Sequence, residues 1–415
     1  MTTKKYFCIA PWVHLHTWPD GTVFPCCNSE ITDNLGNLCQ SSLGEIWNSE
    51  KVIQFRKDLL ADKPREDFCK RCYDMEESGS RSLRNQFNNN FKKEFLEQSK
   101  HEEVPLRLYY WDFRFSNLCN QACRTCGPVL SSHWYDDFYS QHGQDHHGLS
   151  MKFLKFQKDD INRNVIKEHI QYVKEIYFAG GEPTLMEDHK FTLEQLIEHK
   201  RYDIKILYST NLASLVFRGM HFLDIWPRFK EVNICVSLDE IADRAEYWRY
   251  GTTWDKFIEN IKKVKSLSKI CPSVKLTFGI TTSMFNSHRL TAISELLINE
   301  GILDKTTDLR YNPLVEPKYF DAKNMPNEYK ATAVADLNKL KTMPYQPLPL
   351  IDAIIYRINL ESEDNLRFKA AKELAELDKI RNQSLKVIAP ELYDIYKEYG
   401  YDDYFTNFKK HERII

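Results

Sequence analysis

The chain has 415 residues, 42% hydrophobic and 28% charged, which supplies a sizeable core and length for roughly two or three domains. A net charge of -2 argues against nucleic acid or anionic lipid as the main partner, so neither is expected. No stretch approaches the ~20 apolar residues of a membrane span, and "MTTKKYFCIAPWVHLHTW" lacks the apolar core of a signal peptide, so a cytoplasmic protein is expected.

In chain order, residues 1–75 are turn-rich. "DGTVFPCC" (20–27) predicts a turn, a short strand and a metal-ligand loop. "SLGEIWNSEKVIQFRKDLL" (42–60) predicts one helix capped by Ser41 or Ser42, with Glu45 in its first turn and Ile46, Trp47, Ile53 and Phe55 as apolar contacts. "DFCKRCYDME" (67–76) closes this region, and the polar stretch 77–104 reads as a helical connector.

From about residue 106, β-rich runs alternate with helical segments. The runs are 107–116, 175–181, 204–210, 232–239, 274–282 and 308–314. Amphipathic stretches such as "FTLEQLIEHK" and "WDKFIENIKKVKSLSK" separate them, which predicts an α/β fold with a parallel sheet covered by helices. Six units are too few for a closed eight-stranded barrel, so a partial (β/α)6 barrel is expected. Residues 320–415 are helical and charged, without a catalytic motif, and predict a cap or substrate-contacting extension. The His-rich "QHGQDHHGLS" (141–150) lacks regular spacing and reads as an exposed loop rather than a metal site. The expected domains are therefore 1–104, 105–318 and 319–415.

The 11 cysteines are an odd number in two clusters, a pattern that in a reducing compartment points to metal binding. "SNLCNQACRTCGP" (116–128) spaces Cys119, Cys123 and Cys126 as C-x3-C-x2-C, directly after the first predicted strand. Reactive groups on parallel sheets gather at such strand ends. Four thiolates saturate a [4Fe–4S] cluster, whereas three leave one iron open to a small molecule. Alone, the spacing also fits half of a zinc site, and "GGEP" (180–183) alone fits a tight turn.

The three cysteines after the first strand, followed by GGEP after the second, resemble the radical S-adenosylmethionine (SAM) superfamily. The resemblance implies that the open iron chelates the methionine end of SAM, that an electron from the cluster cleaves the sulfonium, and that the resulting 5′-deoxyadenosyl radical abstracts a substrate hydrogen. It assigns Gly180, Gly181, Glu182 and Pro183 to the methionine amino group. It assigns Ser209 and Asn211 in "YSTN", and Ser237 in "VSLD", to further cofactor contacts. Arg249 is the expected partner of the cofactor carboxylate, with Arg244 as second choice. Thr125 stands where the family commonly has an aromatic beside the adenine, which shifts that contact to backbone or later strands. An external electron donor such as flavodoxin or ferredoxin is implied.

Upstream, Cys8 is followed by twelve residues, Gly21, four residues and Cys26, and later by Cys69-x2-Cys72. With "LGNL" and "EIWNS", this resembles the SPASM/Twitch extension, placed here before the barrel rather than after it. The resemblance implies an auxiliary [4Fe–4S] cluster on Cys8, Cys26, Cys69 and Cys72. Cys27 is an alternative to Cys26, and zinc an alternative to the cluster. Cys39 is expected to be spare, and Cys235, inside an apolar run, a small core residue. Many SPASM/Twitch relatives modify peptides or proteins, so a peptide or protein maturase is the expected function. The same radical chemistry on a sugar, nucleoside or lipid precursor, and a non-catalytic metal-binding scaffold, are the alternatives.

Overall fold

The computed structural model describes residues 4–30, 33–77, 81–92, 99–143, 154–155 and 159–406. All six predicted runs form strands, as Tyr110–Phe113, Glu175–Phe178, Lys205–Thr210, Glu231–Ser237, Val274–Thr282 and Asp308–Pro313. The fold is α/β, as the alternation predicted. By contact density the chain divides into two compact units, residues 1–118, 153–209 and 216–232 in the first and 119–152, 210–215 and 233–415 in the second.

In the first unit, Tyr110–Phe113, Glu175–Phe178 and Lys205–Thr210 run parallel. The helices Asp159–His169 and Glu187–Glu198 lie between them in sequence, supplying the crossovers that parallel neighbours require. The cysteine-rich N-terminal region extends this sheet. His16–Thr17 pairs parallel with Tyr110–Phe113, and Thr22–Phe24 and Gly36–Asn37 follow in antiparallel order.

Side chains alternate across this sheet as the strand period demands. Ile176, Phe178, Ile206 and Tyr208 are buried, whereas Glu175, Tyr177, Lys205, Leu207 and Ser209 are half-buried. The buried face packs an aromatic cluster of Phe178, Tyr208, His189, Phe222 and Trp226, with ring separations of 4.6–5.7 Å. The polar face carries Asp112, Arg114, Tyr177 and Ser209.

The helix expected over 42–60 is two helices, Leu43–Trp47 and Glu50–Leu60. Ser42 forms a capping box with Glu45, and Ser49 caps the second helix by accepting from Val52 N. A second N-cap seven residues after the first competes with helix continuation. Ile46, Trp47 and Phe55 are buried as expected, while Ile53 is half-buried.

In the second unit, Val274–Thr282 lies between Glu231–Ser237 and Asp308–Pro313 and pairs parallel with the latter. The C-terminal region is helical as predicted: Asn327–Leu340, Leu348–Ile358, Asp364–Arg381 and Pro390–Glu398 are its longer helices. Asp364–Arg381 buries Ala370, Ala371, Leu374 and Leu377 together with three charged groups, Arg367, Asp378 and Arg381. Of the His-rich stretch, residues 144–150 lie outside the described residues; Gln141 and His142 end the helix Tyr135–His142. No helix among the described residues is long and apolar enough to cross a membrane.

Candidate metal and cofactor sites

The three-cysteine loop lies in the second unit and is tied down at every cysteine. Cys119 N donates to Ser132 Oγ at 3.3 Å, and Asn211 Nδ2 approaches Cys119 Sγ at 3.8 Å. Cys123 is buried; its carbonyl accepts from Trp134 Nε1 at 2.7 Å and from Cys126 N at 2.9 Å. Burial first, and neighbouring Cys123 second, raise the Cys126 thiol pKa to about 12, against a lowering by the Arg249 charge.

Arg249 is brought to this loop by a two-residue antiparallel pairing that sets it directly opposite Cys123. Its guanidinium donates from Nη1 to Asp239 Oδ2 at 2.7 Å, and its charge acts on both Cys123 and Cys119. Asp239 in turn accepts from Thr281 N at 2.8 Å, which fixes the carboxylate. Arg244, the second choice, turns to Glu391 Oε2 at 2.8 Å instead.

Beside the loop, Asn120, Gln121, Asn211, Thr252, Lys256 and Asn260 line a polar pocket. Asn211 Nδ2 donates to Asn120 Oδ1 at 2.9 Å, and Gln121 Nε2 to Thr252 Oγ1 at 2.8 Å. Ser237 closes its strand, half-buried.

In the first unit, GGEP follows Glu175–Phe178 as a turn into a short 3-10 helix over Pro183–Leu185. Gly180 and Gly181 have φ of +77° and +57°. A Cβ on Gly180 would lie 2.5 Å from Arg114 Cδ, and one on Gly181 only 2.4 Å from Leu118 O, so only glycine fits either place. Glu182 N donates to Leu118 O at 2.7 Å, anchoring the turn to the residue before Cys119. The Glu182 carboxylate is fully buried and accepts from Thr184 N and Thr184 Oγ1 at 3.0 and 2.7 Å. One of its oxygens serves as a cap there. Ser209 Oγ pairs with Tyr177 Oη at 2.7 Å.

Also in the first unit, Cys8, Cys26, Cys69 and Cys72 line one apolar cavity with Pro11, Phe55, Phe68 and Phe87. Burial raises the thiols of Cys8, Cys26 and Cys69, and the other cysteines of the set raise each one further. Asn28 Nδ2 reaches Cys72 Sγ at 3.5 Å, and Ser29 Oγ lies 3.6 Å from Cys26 Sγ. Cys27 is exposed and does not line the cavity; Asp112 is its strongest charged neighbour. Cys39 is exposed, with its thiol 3.6 Å from Asp20 O. Among the described residues no three His, Cys, Asp or Glu side chains gather at the spacing of a single metal ion. The donor sets, four thiols around one cavity and three on one loop, are of the chemistry that iron–sulfur clusters take.

Sequence reasoning missed Gln121, Arg124, Trp134, Asp378 and Arg381 around the three-cysteine loop. Arg124 stood inside the quoted motif, but its partner Asp378 lies 254 residues away and carries no local signal.

Residues 113–282 match the radical SAM superfamily, and residues 8–73 match an iron–sulfur cluster-binding domain, SPASM. The chain matches none of the curated proteins. Among solved structures, anSMEcpe with bound AdoMet is 15% identical at a TM-score of 0.38, covering 57% of this chain and 60% of that chain. Streptococcus suis SuiB bound to S-adenosylmethionine is 18% identical at a TM-score of 0.36, covering 88% of this chain and 75% of that chain. SuiB bound to precursor peptide SuiA is 17% identical at a TM-score of 0.35, covering 90% and 77%. The chain thus aligns with 60% of the length of anSMEcpe. With the three-cysteine loop inside one matched segment and Cys8, Cys26, Cys69 and Cys72 inside the other, the chain carries a radical SAM domain over residues 113–282 and a SPASM domain over residues 8–73, and takes SAM and iron–sulfur clusters as cofactors.

Proposed function

We propose that this protein cleaves SAM reductively and abstracts hydrogen from a peptide or protein substrate. The observation that carries the reading is the three-cysteine loop with Arg249 set opposite Cys123 and a polar pocket at Asn120 and Asn211. In this reading Cys119, Cys123 and Cys126 ligate a [4Fe–4S] cluster whose fourth iron takes SAM. Bound together, SAM and the reduced cluster supply a 5′-deoxyadenosyl radical.

The chain's own residues bind and orient. The positive-φ backbone of Gly180 and Gly181, with Glu182 and Pro183, receives the methionine amino group. Arg249 keeps guanidinium donors beyond the one used by Asp239, and these suit the cofactor carboxylate. Asn211, Ser209 and Ser237 offer hydrogen bonds at their strand ends, and Tyr177 holds the Ser209 hydroxyl in place.

Cys8, Cys26, Cys69 and Cys72 ligate an auxiliary [4Fe–4S] cluster, with Cys27 and Cys39 outside the set. The SPASM match supports the peptide or protein substrate, because relatives with this extension commonly modify peptides. A flavodoxin- or ferredoxin-type protein supplies the electron. The test is anaerobic reconstitution with iron and sulfide, reduction with dithionite, and chromatography for 5′-deoxyadenosine after adding SAM. Stoichiometric or greater 5′-deoxyadenosine is expected. None from a fully iron-loaded sample sinks the reading.

A further inference from the structure

Arg381, at the end of the helix Asp364–Arg381, has a side chain only 1% exposed. Its Nε donates to Asp137 Oδ2 at 2.9 Å. Its guanidinium lies 4.9 Å from the Trp134 ring and 4.7 Å from the Tyr250 ring. Both rings belong to the support of Cys123: Trp134 donates to its carbonyl, and Tyr250 follows Arg249 in the strand paired with Ala122–Cys123. One residue-turn earlier, Leu377 packs with Ala122 and Trp134 in a cluster that Cys126 joins. The last turn of this helix is therefore wedged against the loop that carries the cysteines.

The two arginines nearest the cysteines each hold a protein acceptor with an Nη group. Arg124 reaches Asp378, Gln383, Leu374 O and Tyr247 O, and Arg249 reaches Asp239. Arg381 is different: its Nη1 and Nη2 are buried and bond to no protein atom. A buried donor without an acceptor is costly, more so when charged, so two such groups on one guanidinium point to acceptors supplied from outside the polypeptide. An iron–sulfur cluster on three thiolates is anionic, gains negative charge on reduction, and presents sulfur acceptors. Hydrogen bonds to those sulfurs and nearby positive charge both raise a cluster's potential.

We propose that Arg381 donates its Nη1 and Nη2 groups to the sulfurs of the cluster held by Cys119, Cys123 and Cys126, and so makes that cluster easier to reduce. The proposal rests on the ligand set given above. It makes the C-terminal extension part of the cluster site. Asp137 and the two aromatic rings act as positioning residues that aim the guanidinium.

The test uses the full chain reconstituted with iron and sulfide, and an EPR-monitored redox titration of each cluster. In Arg381→Met the three-cysteine cluster is expected to become harder to reduce by about tenfold in its oxidised-to-reduced ratio, a downward shift of about 59 mV for one electron. The auxiliary cluster's midpoint should not move. Arg381→Lys, which keeps a charge but loses the planar fork, should shift the midpoint downward by less. Full iron in Arg381→Met with an unchanged midpoint overturns the proposal. If Arg381→Met fails to hold iron, Arg381→Lys decides, and a wild-type midpoint there overturns it. The ligand assignment fails separately, if the Cys119, Cys123 and Cys126 triple alanine variant keeps its full iron.

Discussion

Arg124 Nη2 and Asp378 Oδ1 are 2.6 Å apart, with side-chain exposures of 0% and 2%. The pair joins a residue between two of the clustered cysteines to the helix Asp364–Arg381, and the Arg124 guanidinium also lies 3.8 Å from the Tyr247 ring. Removing one partner of a buried ion pair leaves an uncompensated charge and typically costs about 3–5 kcal/mol. Asp378→Asn should therefore destabilise the second unit by an amount of that order, read by urea unfolding. It should also lower iron retention at the three-cysteine site. A double variant, Arg124→Leu with Asp378→Leu, should recover part of the loss, because no lone charge remains buried.

The two cysteine sets should separate by iron content. Wild type is expected to bind about eight irons if both sites hold [4Fe–4S] clusters. Alanine at Cys119, Cys123 and Cys126 should remove about half and abolish SAM cleavage, while alanine at Cys8, Cys26, Cys69 and Cys72 should remove the other half. Cys27→Ala and Cys39→Ala should leave the iron content unchanged, because neither lines the four-cysteine cavity. Zinc found in place of half the iron would contradict the assignment of the N-terminal set.

Gly181→Ala tests the GGEP turn. The added methyl would meet Leu118 O at 2.4 Å from a residue already at φ +57°. Strain of this kind costs on the order of 1–3 kcal/mol before the clash is counted. A several-fold loss of 5′-deoxyadenosine formation is expected, with a lowered melting temperature. Wild-type behaviour in both measurements would show that the turn can shift without consequence.

Arg249 and Arg244 differ in their partners, so they should differ on substitution. Arg249→Gln should weaken SAM binding by roughly tenfold, about 1.4 kcal/mol, in an equilibrium titration. Arg244→Gln should leave SAM affinity near wild type, because its guanidinium is committed to Glu391.

His189 predicts a pH dependence. Burial lowers its pKa from the ordinary 6.5 to about 3, and its Nε2 bonds Tyr208 Oη at 2.8 Å. The unfolded chain takes up this proton below pH 6.5 while the folded chain does not. Its stabilising effect is therefore full above 6.5 and is lost progressively as pH falls toward 3. Between pH 7 and pH 5 the loss from this one group is roughly 2 kcal/mol. In urea unfolding across that range, His189→Asn should show a flatter slope than wild type by about that amount. Parallel slopes would mean that His189 is charged in the folded state.

Much of the site was legible because its signals are local. Glycines at 180 and 181 and the cysteine spacings announce themselves within a few residues, since turns and ligand loops depend on neighbouring backbone. The alternation of strands and helices was equally plain. The helix over 42–60 was misread because Ser49 caps a new helix inside an apolar pattern that continues through it. The resemblance assigns Glu182 to the cofactor; that one of its oxygens also caps Thr184 shows only in the folded turn. Nothing local distinguishes Cys26 from Cys27; the cavity does, because adjacent side chains on a turn point apart.

The amino-acid sequence alone determined the class of chemistry: an α/β fold, a three-thiol loop one ligand short of a saturated cluster, a second set of four cysteines, and a glycine turn after the second strand. These follow from residue type and spacing, which need no partner distant in the chain. Only the tertiary structure decided what surrounds the three-cysteine loop. Arg249 faces Cys123 through a two-residue pairing, and Asp378 and Arg381 arrive from a helix that carries no motif. Such contacts depend on how a buried helix packs, and buried charge is stable only where packing brings it a partner.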